Sequence, residues 1–393
     1  MHLRYRYRAY PNKQQRQQLE QIFGCTRVVY NDAINLSQKH YKETGKSLSS
    51  FDLMKLVITK AKQTPEREWL SNSPYVCLKF SVQDFGVAMK HTFRRLKQGE
   101  PGGFPQYKKK SSHQSASFQH YTTKLIGNKV RFTNLGLIKI KLSRELPSDY
   151  KTVTIIKESD NKYYISFTVQ DSRIIEDDNT NVIGLDLGIS SLITTNIGET
   201  YDNPKYLKKA QKQLRKANQD LSRKQKGSNR REKAKLTLAK KHKRVANLRR
   251  NNLDQITKEL INNNQVIVIE DLDVKGMNKT KGMSKLLADV SFGTLRSMLE
   301  YKCELYGRQL VVIDRYFPSS QLCSDCNYRI GKLALNIRSW ICPECSSEHD
   351  RDQNAAQNLV NEALRTWDSQ NERGVDVSAA LGPINDEALT VAF

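Results

Sequence analysis

Three carboxylates stand where a chain would place them to do chemistry. Asp186 sits in Val-Ile-Gly-Leu-Asp-Leu-Gly (182–188), Glu270 closes Val-Ile-Val-Ile-Glu (266–270), and Asp352 lies in His-Asp-Arg-Asp-Gln-Asn-Ala-Ala (349–356). The apolar runs before the first two read as buried strands, each ending in an acid. Three acids gathered from distant positions can hold two hard divalent cations such as Mg2+, which take oxygen ligands and keep several waters. Such a pair activates a water and stabilises the leaving oxygen of a phosphodiester. In that scheme Asp186 bridges both ions, and Glu270 and Asp352 complete one site each. A lone acid after an apolar strand usually only caps the next element. The weight comes from three of them in order in a basic chain. Asp352 is the least fixed, because Asp350 is two residues away and an acid opening a helix gains from the N-terminal dipole. Asp271 and Asp273 read as exposed loop residues.

A second set is Cys323-x2-Cys326, fifteen intervening residues, then Cys342-x2-Cys345. Two such knuckles offer four thiolates to one tetrahedral Zn2+. Four protein ligands close the site, so the ion is structural and His349 is not needed as a ligand. The other cysteines, Cys25, Cys77 and Cys303, lie among apolar neighbours and read as small core residues. An odd total of seven, with no apolar leader, argues against a disulfide framework.

The chain has 393 residues, with 65 Lys and Arg against 41 Asp and Glu, a formal net charge of +24. That excess favours a polyanion, most simply nucleic acid. No apolar run approaches ~18 residues, so no membrane span is expected, and the reading is a soluble cytoplasmic protein. The cations concentrate: residues 205–250 hold nineteen Lys and Arg and only Asp220 and Glu232 as acids. A solvated coiled coil would alternate signs. A surface that tracks nucleic acid, with Lys208, Lys212 and Arg215 on it, fits better. A second candidate contact is Phe104 and Tyr107 beside Lys108, Lys109 and Lys110, where aromatics interleave with charge.

The elements that must carry these residues are legible in outline. Residues 1–9 alternate as a strand with one basic face, and Asn12 to about Lys97 reads as helical. Runs between 122 and 170 read as strands of a small antiparallel barrel or sheet, which the first strand could complete. An acidic linker spans 171–181. Strands at 182–187 and 191–195 follow, then a basic helical hairpin divided near Gly227, a strand at 265–270, a helix over 290–307, a strand at 309–314, the cysteine unit and a last helix from Asp352. A mixed sheet with acids on its first strand, a later strand and the last helix is an RNase H-like layout.

Taken in order, the motifs resemble the TnpB (OrfB) family of insertion-sequence proteins, relatives of the compact type V CRISPR effectors. The resemblance runs over residues 3–366. It is carried by Thr26-Arg27-Val28-Val29-Tyr30-Asn31, Gly103-Phe104-Pro105 with its lysines, Gly184-Leu185-Asp186-Leu187-Gly188 and Glu270-Asp271-Leu272 with Lys275-Gly276-Met277. Ser291-Phe292-Gly293, Tyr316-Phe317-Pro318-Ser319-Ser320, both cysteine pairs and His349-Asp350-Arg351-Asp352 with Asn354-Ala355-Ala356 complete it. Many members carry Gly after the second cysteine of each pair. Here Asn327 and Ser346 stand there, and Ser tolerates a left-handed backbone less readily than Asn.

The resemblance implies an α+β multidomain fold. A wedge-like β-barrel takes 1–9 and 98–175, and a helical recognition domain takes 10–97. A RuvC-like nuclease domain takes 181–319 and 347–367, including the basic region 204–264. A zinc-binding insertion takes 320–346 and a flexible tail 368–393. It implies an RNA-guided DNA endonuclease that carries one transposon-end guide RNA per protein and reads a short motif beside its double-stranded target. One RuvC site with two Mg2+ then cuts both strands. It also implies nucleic-acid contacts at Arg27, Tyr30 and Asn31, and a bacterial or archaeal protein held on the nucleoid through DNA. A CRISPR-type effector, a guided DNA binder and a strand-joining transposase are the alternatives.

Overall fold

The computed structural model describes residues 2–371 apart from 112, 148, 176–178, 332 and 335. Most of the expected tail, from 372 onward, lies outside the described residues. The chain divides at residue 171 into two units.

In the first unit, strand β1 (His2–Tyr10) buries Tyr5, Tyr7 and Ala9 and turns Arg4, Arg6 and Arg8 outward. Helix α1 (Lys13–Thr44) opens with a capping box between Asn12 and Gln15 and stops at Gly45, whose φ of 68° suits glycine. The helical stretch expected from Asn12 to about Lys97 is a series of helices, the first break falling at Gly45. After α2 (Ser50–Met54) the chain tightens through short π and 3-10 turns, and Pro74 precedes α3 (Tyr75–Lys97). Helical apolar spacing persists through 45–74, but Gly45, Pro65 and Pro74 remove the continuous ladder.

Strands β2 (Gln114–Gln119), β3 (Thr123–Ile126), β4 (Lys129–Phe132), β5 (Gly136–Lys141), β6 (Tyr150–Lys157) and β7 (Tyr163–Gln170) join β1 in one antiparallel sheet, ordered β2-β6-β7-β1-β5-β4-β3. Phe118 on β2 and Phe132 on β4 meet edge to face at 4.9 Å. Five strand spacings would hold them about 24 Å apart in a flat sheet, so the sheet curls around its core. Among the described residues no ladder joins β2 to β3, so it is a half-barrel and not a hydrogen-bonded closed one.

The second unit holds β8 (Val182–Leu187), β9 (Ser191–Thr195), β10 (Thr200–Asp202), α4 (Tyr206–Ser222), α5 (Asn229–Asn263), β11 (Val266–Glu270), α6 (Val274–Met277), α7 (Met283–Val290), α8 (Phe292–Tyr306), β12 (Gln309–Ile313), β13 (Ser339–Ile341), β14 (Glu348–Asp350) and α9 (Arg351–Asn371). Its mixed sheet runs β10-β9-β8-β11-β12, with β8, β11 and β12 parallel. The helix expected over 290–307 is α8, and Ser291, at a φ of 58°, separates it from the shorter α7 before it. One sheet face packs Ile183, Leu185, Ile267 and Ile269 against Leu260 of α5 and Leu295 and Leu299 of α8. The other packs Val266 and Val268 against Leu359, Ala363 and Trp367 of α9. No helix among the described residues is long and apolar enough to cross a membrane.

Helix α9 touches β8 without a side chain between them. A Cβ on Gly184 would lie 2.2 Å from the Ala356 carbonyl oxygen and 2.8 Å from a Val360 methyl. Gly184→Ala must push the helix off the strand and is expected to destabilise the protein by about 2 kcal/mol or more. Gly293→Ala, where a Cβ meets nothing within 4 Å, serves as the neutral control in thermal or denaturant melts. Equal stability of the two variants would contradict this seating.

Candidate active site and metal centre

The close approach at Gly184 fixes the geometry of the carboxylates. Side chains alternate along a strand, so Asp186 points to the same α9 face as Gly184. The parallel register pairs Leu185 with Ile269, so Glu270 is the next neighbour of Asp186 at the strands' carboxyl ends. Glu270 shares the face of Val266 and Val268, again toward α9. Asp352 is one helical turn before Ala356, on the same side of α9. All three acids therefore converge at one sheet edge.

Their mutual charge registers on Asp186. Burial, then Asp352, then Glu270 push its carboxyl up to about 7, against a smaller opposing pull from Arg351 and Arg338. Glu270 is raised too, by burial and then by Asp271. The carboxylates do not close into one tight ligand cluster. Among the described residues, the acidic, thiol and imidazole donors that gather within 4.8 Å of one another are the four cysteines, and Cys323 with Asp325 and His349.

The ambiguity at the start of α9 resolves through hydrogen bonds. Asp350 Oδ1 accepts from the backbone N–H of Asp352 (3.0 Å) and Gln353 (2.9 Å), so Asp350 is the cap. The Asp352 carboxylate is left for other work and accepts from Arg338 Nη1 at 3.0 and 3.1 Å. Asp271 is not the exposed loop acid expected. Hydrogen bonds from Arg296 and then Arg315 hold its carboxyl below the usual range. Asp273 caps α6 through the Gly276 N–H at 2.9 Å.

The four cysteine sulfurs face one another, with Cys323–Cys345 and Cys326–Cys342 both at 3.6 Å. A tetrahedral Zn2+ with Zn–S bonds of ~2.3 Å sets its sulfurs about 3.8 Å apart, so the donor set fits that ion. Asn327 (φ 61°) and Ser346 (φ 62°) both take the left-handed turn, and their N–H groups reach the carbonyls of Cys323 and Cys342 at 3.0 and 2.9 Å. The knuckles thus form without glycine. His349 lies 3.1 Å from Cys323 Sγ through Nε2 and packs on Trp340.

The basic hairpin is α4 and α5, joined at Gly227, with Lys208, Lys212 and Arg215 exposed along α4. Asp289 anchors it by accepting from the N–H groups of Leu207 (2.8 Å) and Lys208 (3.2 Å). In the first unit, Lys109, Lys110 and Tyr107 are exposed, while Phe104 is half-buried against Tyr41. Two expected contacts need correction. Tyr30 is a core residue, 6% exposed and edge to face with Phe85, and Lys108 Nζ covers its ring at 4.0 Å. Asn31 spends its amide on the Lys108 backbone, at 2.9 and 3.1 Å. Both hold the basic loop to α1. Arg27 is engaged with Gln114 at 2.7 Å. Arg338 escaped the sequence reading. So did Asn354, Asn358 and Asn361, although amides at i, i+4 and i+7 on an otherwise apolar helix face were a usable signal.

The arrangement defines a class: a mixed α/β unit with clustered acids at one sheet edge and a four-thiolate unit beside them. The comparisons agree. Residues 165–281 match the OrfB_IS605 profile, described as a probable transposase, and 292–359 match the Cas12f1-like TNB domain. Residues 1–46 match a helix-turn-helix profile, although here they form a strand and one 32-residue helix. A Streptomyces pristinaespiralis protein provisionally named an RNA-guided DNA endonuclease is 35% identical over 360 residues, 91% of this chain and 88% of that one. InsQ of Escherichia coli K12, with the same provisional name, is 26% identical over 91% of both chains. The Cas12f1 chain of a Cas12f1–sgRNA–target DNA complex superposes with a TM-score of 0.55 at 12% identity, over 92% of this chain and 99% of that one. The chain belongs to the TnpB (OrfB) family, related to the type V effectors.

The Asp186 carboxyl gives a pH test. Its folded-state pKa lies above the ordinary value near 4, so it favours folding when protonated. That contribution is complete below about pH 4 and is lost as pH rises through about 7. Without Mg2+, Asp186→Asn is expected to exceed the wild type in stability by roughly 1–3 kcal/mol at pH 8, with the gap shrinking steadily toward pH 4. A pH-independent gap in thermal melts would contradict the shift.

Proposed function

We propose that this protein is an RNA-guided DNA endonuclease whose cutting site is built from Asp186, Glu270 and Asp352. The observation that carries the reading is the convergence of three acids, with Asp352 and Glu270 adding to burial in raising the Asp186 carboxyl, in a unit bearing a nearly all-cationic helical hairpin. Burying like charges is costly unless a cation compensates them. Two Mg2+ ions held there would supply an activated water and a counter-charge for the leaving oxygen. Asp186, Glu270 and Asp352 would hold these ions, the Asp186 carboxyl being the one that responds to both of the other acids. Arg338 balances Asp352 in the absence of a cation. Cys323, Cys326, Cys342 and Cys345 hold one structural Zn2+.

The partners are a transposon-end guide RNA and a double-stranded target beside a short motif. The half-barrel serves as the wedge, α1 to α3 as the recognition block, and α4 and α5 as the track for the guide–target duplex. Base pairing reads the sequence while the protein reads shape and the adjacent motif. The profile description as a transposase favours a second reading, in which the same acids join strands.

The test is to purify the protein from cells carrying its own locus, sequence the copurifying RNA, and incubate the complex with matched target and Mg2+. Double-strand cleavage is expected, falling about a thousandfold or more in Asp186→Ala, Glu270→Gln and Asp352→Asn, with target binding kept. Replacing Lys208, Lys212 and Arg215 by Gln should flatten the salt dependence of binding by about 0.9 log unit per lost phosphate contact. Cleavage without RNA, or cleavage that survives Asp186→Ala, would overturn the assignment. Joined products from transposon-end DNA would support the second reading.

A further inference from the structure

We propose that Asn354 is a positioning residue that couples metal loading of the four cysteines to the placement of Asp352. The proposal rests on the reading of Asp352 as a cation ligand.

The start of α9 is gripped by the cysteine unit from two sides. On the helix flank, Asn354 Nδ2 donates to the Leu322 carbonyl at 2.7 Å, and Asn354 Oδ1 accepts from the Ser324 N–H at 2.9 Å. These are the peptide groups on either side of Cys323, so one carboxamide clamps the backbone around one thiolate. Asn358 donates to the carbonyls of Ser319 and Leu322, both at 2.8 Å, and Asn361 to that of Ser324 at 2.9 Å. Asn354 and Asn358 are 3% and 1% exposed. Buried carboxamides must keep their partners, so the knuckle sits on α9 in a single register.

The second grip runs along the chain. Strand β14 passes into α9 with no intervening residue, and its hairpin partner β13 leads directly into Cys342. The Arg351 N–H bonds the Arg338 carbonyl at 2.7 Å. Cys323 and Cys326 belong to the first grip, and Cys342 and Cys345 to the second. An ion shared by all four thiolates locks the two grips together around the turn that carries Asp352, two residues before Asn354. With the ion gone, the knuckles are free to separate and that turn loses half of its support.

Coupling of this kind is reciprocal. A cation on the carboxylates must therefore strengthen zinc binding at the cysteines. Mg2+ is the right probe, because it takes oxygen ligands and is not held by thiolates. The experiment is an equilibrium competition for zinc between the full-length protein and a chromophoric chelator, with and without saturating Mg2+. In the wild type Mg2+ is expected to raise zinc affinity about fivefold or more. In Asn354→Leu, which keeps the volume and removes both hydrogen bonds, the Mg2+ effect is expected to vanish, as it should in Asp352→Asn. No Mg2+ effect in the wild type overturns the proposal. An effect lost in Asp352→Asn but unchanged in Asn354→Leu overturns the role of Asn354 and leaves the carboxylate site standing. An effect that persists in Asp352→Asn removes the cation site and the proposal together.

Discussion

Everything at the sheet edge depends on one contact between backbones. Gly184 lets α9 lie directly on β8, and that depth of approach brings Asp352 down to the level of Asp186. Any side chain at 184 would lift the helix by the thickness of a methyl group. The acids would then separate, and the like-charge repulsion that adds to burial in raising Asp186 would weaken. The protein holds the repulsion in place with the packing of Val266 and Val268 on Leu359, Ala363 and Trp367. Hydrophobic contact a turn or two away thus maintains an electrostatically strained edge.

The same helix serves three constituencies at once. Its apolar face seats on the sheet, its first turn carries Asp352, and its amides hold the cysteine unit. Arg338 reaches back from that unit to Asp352. A four-thiolate site could be attached anywhere as a stabilising staple. Here it is built onto the turn that carries Asp352, and its root is held by buried amides.

Much of this was legible because apolar runs name buried strands. Val-Ile-Gly-Leu and Val-Ile-Val-Ile could only be inner strands of a covered sheet, and an acid ending each had to emerge at an edge. The paired cysteines were legible for a similar reason, since the spacing itself is the site. What stayed hidden depended on hydrogen bonds. Asp350 and Asp352 both stand at a helix start, and only the bonds to the N–H groups of Asp352 and Gln353 show that Asp350 is the cap. Tyr30 illustrates the opposite error: an aromatic within a family motif suggested a contact, whereas its place on the inner stripe of α1 made it core.

The central claim is that the three acids form a divalent-cation site. Isothermal titration of Mg2+ into the nucleic-acid-free protein, in buffers of different ionisation enthalpy, tests it most directly. With the Asp186 carboxyl near 7, Mg2+ must displace its proton. Binding at pH 6 should release approaching one proton, release should fade toward pH 9, and Asp186→Asn should abolish it. Mg2+ binding with no proton release at pH 6, or binding and release unchanged in Asp186→Asn, would contradict the account.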